Sequence, residues 1–165
     1  MRTFPGVPHR LEQLGTLAGA SVFNDSKATN YDAAEVGLRA VQGPVVVLAG
    51  GQIKQGDASG WLEQLHTKAC SLILFGAGAD ELASLAKAAG YHGELLQCPE
   101  LESAVNLAET AVQRHQASSL LLSPACASFD QYRDFEARGE HFRTLINPLL
   151  DEASDQTNAM GCILA

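Results

Sequence analysis

The stretch Val45-Val46-Val47-Leu48-Ala49 decides the fold that we predict for this chain of 165 residues. It is a continuous run of apolar, mostly β-branched residues, which is typical of a strand buried on both faces of a parallel sheet. Gln42-Gly43-Pro44 precedes the run and Gly50-Gly51 follows it, so turn-forming residues bound it at both ends. We therefore predict a central, fully buried strand at 45–49.

Strands and helices alternate outward from this run. The predicted strands are 21–24, 45–49, 71–75, 93–98 and 119–122. The predicted helices are 31–41, 61–68, 80–89, 101–115 and 130–145. The segment from Leu11 to Gly19 is ambiguous, and we interpret it as a strand pair that turns near Gly15. Such alternation predicts an α/β, Rossmann-like fold with a mostly parallel sheet and helices on both faces.

Composition restricts the possible partners. The net charge of −8 argues against a nucleic-acid surface, which needs clustered Lys and Arg. No apolar run approaches the roughly 20 residues that span a bilayer, and no signal peptide is visible. The four cysteines and five histidines follow no zinc or C-x-x-C spacing. We expect a cytoplasmic monomer that has reduced thiols and binds no metal, nucleic acid or membrane. The cysteines are Cys70, Cys98, Cys126 and Cys162.

Polar side chains collect in the loops that follow three of the predicted strands. In an open α/β sheet, ligands bind beyond the carboxyl ends of the strands. Two lysines, several hydroxyls and two helix N-termini in this region suit a small anion with two carboxylates, or with a carboxylate and a phosphate. The residues are Asp25, Lys27, Thr29 and Asn30, then Gly50, Gly51 and Lys54, then Ser123, Ser128 and the start of a helix near Asp130.

Motifs for other chemistries fail on spacing. The loop from Gly50 to Gln55 lacks the G-x-x-x-x-G-K-[ST] pattern of a phosphate-binding P-loop, so we predict no nucleotide-hydrolysing centre and no catalytic residue in this chain. The segment Gly76-Ala77-Gly78 follows a strand, but Glu81 replaces the third glycine of a dinucleotide fingerprint. No G-x-S-x-G surrounds Ser123 or Ser128. Aromatic residues at approximate helical spacing are expected in the core: Phe129, Tyr132, Phe135 and Phe142.

These loops resemble the C-terminal domain of the Mur ligases, and the similarity runs from about Phe4 to Leu150. The Asp-Ser-Lys-Ala-Thr-Asn segment at 25–30 is specific, within that family, to the enzyme that adds D-glutamate. The matching segments are Asn24-Asp25-Ser26-Lys27-Ala28-Thr29-Asn30, Gly50-Gly51-x-x-Lys54, Leu122-Ser123-Pro124-Ala125-Cys126-Ala127-Ser128-Phe129-Asp130-Gln131, Gly6-Val7-Pro8-His9-Arg10 and Phe135-Glu136-x-Arg138-Gly139. The family's glycine loop often carries an acid where this chain has Gln52.

The resemblance implies an ATP-dependent ligase of peptidoglycan synthesis. In that family ATP activates the carboxylate of UDP-N-acetylmuramoyl-L-alanine, and the amine of D-glutamate attacks the resulting acyl phosphate. The P-loop and the Mg²⁺ ligands belong to other domains of the family. By position, the two carboxylates of D-glutamate would be held by Lys27, Thr29, Lys54, Ser128 and the backbone at Phe135. The residues that would touch ATP are Arg10 and Asp25.

The resemblance also divides the chain. Residues 1–10 would be a linker from a missing central domain, residues 11–150 the C-terminal domain, and residues 151–165 a disordered tail. Such a domain would not catalyse ligation alone. Three alternatives stay open: a free-standing, non-catalytic module for a small acidic ligand, a domain like that of folylpolyglutamate synthase, and a nucleotide-binding fold without function.

Overall fold

A six-stranded sheet forms the centre of the computed structural model, which describes residues 7–151. The strands are β1 (Glu12–Leu17), β2 (Ala20–Asn24), β3 (Val45–Gly50), β4 (Ala69–Phe75), β5 (Glu94–Cys98) and β6 (Ser119–Leu122). Their spatial order is β1-β2-β6-β3-β4-β5. Only the pairing of β1 with β2 is antiparallel. The prediction of a mostly parallel α/β sheet is confirmed.

Helices cover both faces of this sheet. They are α1 (Tyr31–Ala40), α2 (Ser59–Lys68), α3 (Ala79–Ala88), α4 (Leu101–His115) and α5 (Phe135–Ile146), followed by a 3₁₀ turn at Asn147–Leu149. Val45, Val47 and Ala49 of β3 pack in the core that α1, α2 and α3 cover. Val46 and Leu48 pack in the core beneath α4 and α5. Because successive side chains of β3 enter opposite cores, the whole strand is apolar.

The first hairpin differs from the prediction. The chain turns at Ala18 and Gly19, whereas Gly15 lies at a shift of register between β1 and β2. Gly15 has a φ of 142°, and a β-bulge is a common place for glycine inside a strand. The predicted turn near Gly15 was therefore wrong, because the glycine marks a bulge instead.

The last helix begins later than predicted. Asp134 accepts a hydrogen bond from the Ala137 N–H at 2.7 Å and caps α5, so the helix starts at Phe135 and not near Asp130. Asp130 instead accepts a hydrogen bond from the Ala77 N–H at 3.0 Å. Phe129 lies on this non-helical segment with 66% exposure, which contradicts its expected place in the core.

Packing extends to both ends of the described region. His9, within the predicted linker, is buried; its Nδ1 lies 3.0 Å from Asn24 Nδ2, and its Nε2 lies 3.3 Å from Glu140 Oε2. Asp151 accepts hydrogen bonds of 3.0 Å from the N–H groups of Ala18 and Gly19. Residues 1–6 of the predicted linker and 152–165 of the predicted tail, with Cys162, lie outside the described residues.

Helices of the described region show no membrane-spanning character. Between residues 7 and 151, each helix is too short or too polar to serve as a transmembrane span. In the same part of the chain, Cys70, Cys98 and Cys126 are free thiols.

Candidate functional site

The loops that leave β2, β3, β4 and β6 lie together at the carboxyl edge of the sheet, and we call them the loop rim (25–30, 51–58, 76–78 and 123–134). Main-chain hydrogen bonds join them. The Ala125 N–H donates to Ala28 O at 2.9 Å, and the Gly78 N–H donates to Gly51 O at 2.8 Å. Gln52 and Ala127 exchange reciprocal bonds of 2.8 and 2.9 Å. These bonds hold the loops in fixed positions relative to one another.

A first cavity of about 270 Å³ opens beside the loop after β2. Its polar wall is formed by Arg10, Asp25 and Lys27, so the structure brings these predicted site residues together. Arg10 and Lys27 are exposed, whereas Asp25 is buried. The apolar wall consists of Leu11, Ala28, Ala33 and Val36.

Asp25 of the loop rim is bonded to the chain that leads into β1. Its Oδ1 accepts a hydrogen bond from the Leu11 N–H at 3.1 Å, and its Oδ2 accepts one from the Ser123 hydroxyl at 3.1 Å. Burial raises the pKa of this carboxyl to about 6, although the two hydrogen bonds and Arg10 act in the opposite direction. The Lys27 N–H also donates to His9 O at 2.9 Å.

Lys27 and Phe135 lie in direct contact. The Lys27 ammonium lies 4.9 Å from the centre of the Phe135 ring, within the range of a cation–π interaction. The Phe135 carbonyl accepts a hydrogen bond from the Ser26 hydroxyl at 2.8 Å. Phe135 is the first residue of α5, and an N–H in the first turn of a helix has no acceptor within that helix.

Lys54 lines a second cavity, of about 360 Å³, together with Tyr31, Gln55 and Ser59. This cavity shares no lining residue with the first one. Lys54 itself is exposed and makes no salt bridge with residues 7–151. The lysines predicted to face one region therefore line separate cavities of the same rim.

The predicted hydroxyl groups occupy different surroundings. Ser128 is buried, and its Oγ has no hydrogen-bond partner in the described part of the chain. Ser123 is engaged with Asp25. Thr29 is half-buried and lines neither of the two cavities. It precedes Asn30, which caps α1 by accepting from the Ala33 N–H at 2.8 Å.

Comparison with known proteins identifies the family. Residues 9–126 match the family model described as Mur ligase, glutamate ligase domain. This chain belongs to that family. The resemblance inferred from the motifs is confirmed.

Two curated relatives of this Mur ligase domain share one name. The chain is 95% identical over 153 residues to UDP-N-acetylmuramoylalanine–D-glutamate ligase of Synechococcus sp. (strain CC9605), covering 93% of this chain and 33% of that protein. It is 68% identical over 147 residues to the ligase of the same name from Prochlorococcus marinus (strain MIT 9313), covering 89% and 32%. The chain thus spans about a third of the length of the curated relatives it matches.

Solved structures share the fold at lower identity. Folylpolyglutamate synthase of Mycobacterium tuberculosis, complexed with ADP and AMPPCP, aligns with a TM-score of 0.60 and 19% identity, over 85% of this chain and 32% of that one. The synthase of Thermotoga maritima aligns with a TM-score of 0.56 and 13% identity, over 89% and 32%. At these identities, the likeness shows the fold alone.

Arg138 of this Mur ligase domain is a buried cation beside the loop rim. The sequence indicated it only as one residue of a matching motif, without a role of its own. Its side chain is fully buried; Nε donates to Ser26 Oγ at 3.0 Å and Nη2 to Ser26 O at 2.9 Å. Burial lowers the pKa of the guanidinium to about 10, so it stays charged at neutral pH. The available signal was spacing, because Arg138, Phe142 and Ile146 recur every fourth residue on the buried face of α5.

Metal ligands do not cluster in the described part of this domain. Among residues 7–151, no group of three or more His, Cys, Asp or Glu side chains is placed to hold a metal ion. Arg10 and Lys27 are the cations at the first cavity, and they are suited to phosphate groups.

Proposed function

We propose that this chain is the D-glutamate-binding domain of an ATP-dependent ligase that adds D-glutamate to UDP-N-acetylmuramoyl-L-alanine in peptidoglycan biosynthesis. The observation that carries the proposal is 95% identity, over 93% of the chain, to a protein named as that ligase. The loop rim supports it with cationic, hydroxyl and helix N-terminal groups at one edge of the sheet.

D-Glutamate offers two carboxylates and one amine, and the proposal assigns a set of donors to the carboxylates. Lys27 and Lys54 supply positive charge, and the Ser128 hydroxyl has a hydrogen atom to donate. Thr29 supplies a second hydroxyl, and Phe135 supplies its main-chain N–H. Charge-assisted hydrogen bonds of this kind are short and directional. A substrate held at both carboxylates has its amine oriented toward the acid that it attacks.

Because Lys27 and Lys54 line separate cavities, one glutamate that reaches both must bridge the rim between them. Ala28 belongs to the wall of the first cavity and Tyr31 to the wall of the second, so each cavity combines one of the lysines with an apolar or aromatic neighbour. This arrangement suits a ligand with carboxylates at both ends of a short chain better than one with a single charged group.

The proposal assigns the first cavity to ATP. Arg10 fits its phosphates, and Asp25 presents oxygens at the same wall. When bound, ATP supplies the phosphate that activates the acid substrate. We place Mg²⁺ and the binding of UDP-N-acetylmuramoyl-L-alanine in the two-thirds of the enzyme that this chain does not span, and we propose that residues 11–150 alone do not catalyse ligation. We also propose a cytoplasmic monomer.

The proposal is tested in a chimera in which this chain replaces the corresponding third of a full-length relative. We expect ATP-dependent incorporation of D-glutamate, with L-glutamate as a poor substrate. A parallel NMR titration of this chain with each isomer reports on binding without catalysis, through the amides of Lys27–Asn30, Lys54 and Ser128–Phe135.

The outcomes separate the alternatives. A domain like that of folylpolyglutamate synthase predicts a preference for L-glutamate in the titration. A free-standing module predicts saturable binding by this chain and a chimera without ligase activity. An inactive chimera, together with no response to D-glutamate at millimolar concentration in either protein, would overturn the proposed function.

A further inference from the structure

Arg138 is a buried charge that no carboxylate of residues 7–151 pairs with directly. Its side chain has no exposure to solvent, and it forms no salt bridge with the carboxylates of residues 7–151. The nearby carboxylate of Asp130 accepts the Ala77 N–H instead. Nη1 of Arg138 has no hydrogen-bond partner in this part of the chain. Burial of an unpaired cation is unfavourable for folding, so stability alone gives no reason for a guanidinium here.

The hydrogen bonds of Arg138 converge on one serine. Ser26 lies beside Lys27 in the loop after β2, and it accepts from Arg138 through both its hydroxyl and its carbonyl oxygen. The same hydroxyl donates to the Phe135 carbonyl at 2.8 Å. Arg138 and Ser26 thus fasten the loop after β2 to the first turn of α5.

Arg138 also lies against the loop after β3. A β-carbon added to Gly51 would lie 3.1 Å from Arg138 Nη1, so the guanidinium lies directly beneath the glycine loop that leads to Lys54. One buried side chain of α5 therefore lies against both the loop of Lys27 and the loop of Lys54.

We propose that Arg138 is a positioning residue for D-glutamate. It holds Lys27, the Phe135 N–H and the Gly51 loop in place around a substrate carboxylate. Its positive charge, which no carboxylate of residues 7–151 pairs with, also favours a dianionic ligand. This inference rests on the proposed function. It assigns no direct contact between Arg138 and the substrate, because the guanidinium is sealed from solvent. Its charge acts through the low dielectric of the interior, where electrostatic effects are stronger than in water.

The test uses the ligase chimera described above with Arg138→Lys, Arg138→Met and Ser26→Ala. Arg138→Met should raise the KM for D-glutamate at least about tenfold, since a charge and two hydrogen bonds are lost, while the KM for ATP stays within about twofold, because Arg10 and Asp25 are retained. Arg138→Lys keeps the charge without the planar fork, so its effect should be intermediate. Ser26→Ala keeps the charge but loses the link to Phe135, so it should also raise the KM for D-glutamate.

The matched control is Arg39→Met. Arg39 lies in the last turn of α1, outside the loop rim; its side chain is 57% exposed and pairs only with Glu35, at 2.7 Å, among the described residues. It should leave both KM values unchanged. Thermal unfolding of each variant shows whether the fold persists. If Arg138→Met does not fold, the two single variants Ser26→Ala and Arg138→Lys still test the inference.

The inference is overturned if folded variants at Arg138 and Ser26 change the KM for D-glutamate no more than the KM for ATP. It is also overturned if their effects match that of the Arg39 control. An inactive wild-type chimera would instead count against the proposed function, and the positioning role would then be judged in this chain alone. There, Arg138→Met should shift and broaden the amide signals of Lys27, Gly51 and Phe135, and unchanged signals would contradict it.

Discussion

Asp25 and Ser123 are joined by a buried hydrogen bond of 3.1 Å that links the loop after β2 to the loop after β6. These loops leave neighbouring parallel strands, since Asn24 pairs with Leu122 at the carboxyl ends of β2 and β6. The carboxyl group is held at the wall of the first cavity by this bond and by the Leu11 N–H. Its ionisation is therefore coupled to the stability of the fold.

We predict that Asp25→Asn gains stability relative to the wild type as pH rises. The pKa of this carboxyl is about 6 in the folded protein, whereas the ordinary pKa of an Asp carboxyl is 3.8. Between these values the folded state binds more protons than the unfolded state, so the wild type loses stability as pH rises through that window. Two pKa units correspond to about 3 kcal/mol in the free energy of unfolding. Urea unfolding of both proteins from pH 4 to pH 7 measures the difference.

Asp57→Asn serves as the control for that experiment. Asp57 is exposed, and hydrogen bonds from Ser59 lower its pKa. The stability that the ionised Asp57 carboxylate contributes is present above the pKa of the unfolded state and is lost as pH falls. The stability difference between wild type and Asp57→Asn therefore changes with pH in the direction opposite to that for Asp25→Asn. A difference between Asp25→Asn and wild type that stays constant from pH 4 to pH 7 would show that Asp25 is already ionised throughout.

We predict that Gly37→Ala destabilises the domain although Gly37 lies inside α1. Alanine is favoured over glycine by about 1 kcal/mol in a helix interior, but a methyl group here would overlap Asp25 Oδ2. Asp25 is buried and bonded on two sides, so it cannot move away at low cost. A net loss of about 1–3 kcal/mol is expected from overpacking, measurable by urea unfolding.

Gly60→Ala provides the contrast within α2. Its added methyl group would meet the carboxylate end of Glu35, which belongs to a flexible side chain paired with Arg39 on the surface. We expect this variant to be neutral or up to about 1 kcal/mol more stable. Equal effects of the two substitutions would contradict the role given to the contact between residue 37 and Asp25.

We predict that Asp134→Ala weakens the start of α5. Loss of the capping bond to the Ala137 N–H should cost about 1 kcal/mol of unfolding free energy, while Asp134→Asn should lose only a few tenths because it still caps. Hydrogen exchange of the amides from Phe135 to Arg138 should rise in the alanine variant alone. Equal exchange in both variants would argue that tertiary contacts, and not the cap, define the beginning of this helix.

We predict that Lys27→Ala and Lys54→Ala each weaken D-glutamate binding without unfolding the domain. Both side chains lie on the loop rim and are exposed, so their removal disturbs little packing. Loss of a charge-assisted contact should cost about 1.5–3 kcal/mol in binding free energy, measured by the NMR titration. Lys87→Ala, on α3 and away from the rim, is the control, and unchanged affinity in both rim variants would refute the site assignment.

The sequence predicted the centre of the fold well because burial leaves a strong signal there. The run Val45–Ala49 and the helix Leu101–His115 were located closely, since one is apolar throughout and the other has an apolar stripe. The start of α5 was missed because Asp130 and Gln131 bond to Ala77 and Pro99. Such tertiary partners cannot be read from local propensity.

The sequence predicted which loops form the candidate site, but not how their side chains are arranged in space. Parallel strands bring their carboxyl ends to one edge, so the positions of Lys27, Lys54 and Ser128 near that edge followed from their place directly after predicted strands. The division of the lysines between separate cavities depends on how the loops pack, which spacing does not encode. The sequence signal for Arg138 is that a cation falls in line with Phe142 and Ile146 on the face of α5 that is buried.

The burial of His9 has a consequence for how this domain can move. From His9 onward the chain is bound to the rim, through His9 O to Lys27 and the Leu11 N–H to Asp25. A pivot between this domain and a preceding one would therefore lie upstream of His9. In such a rotation Arg10 would travel as part of the rigid body, so the residues of the first cavity would arrive at a partner surface already assembled.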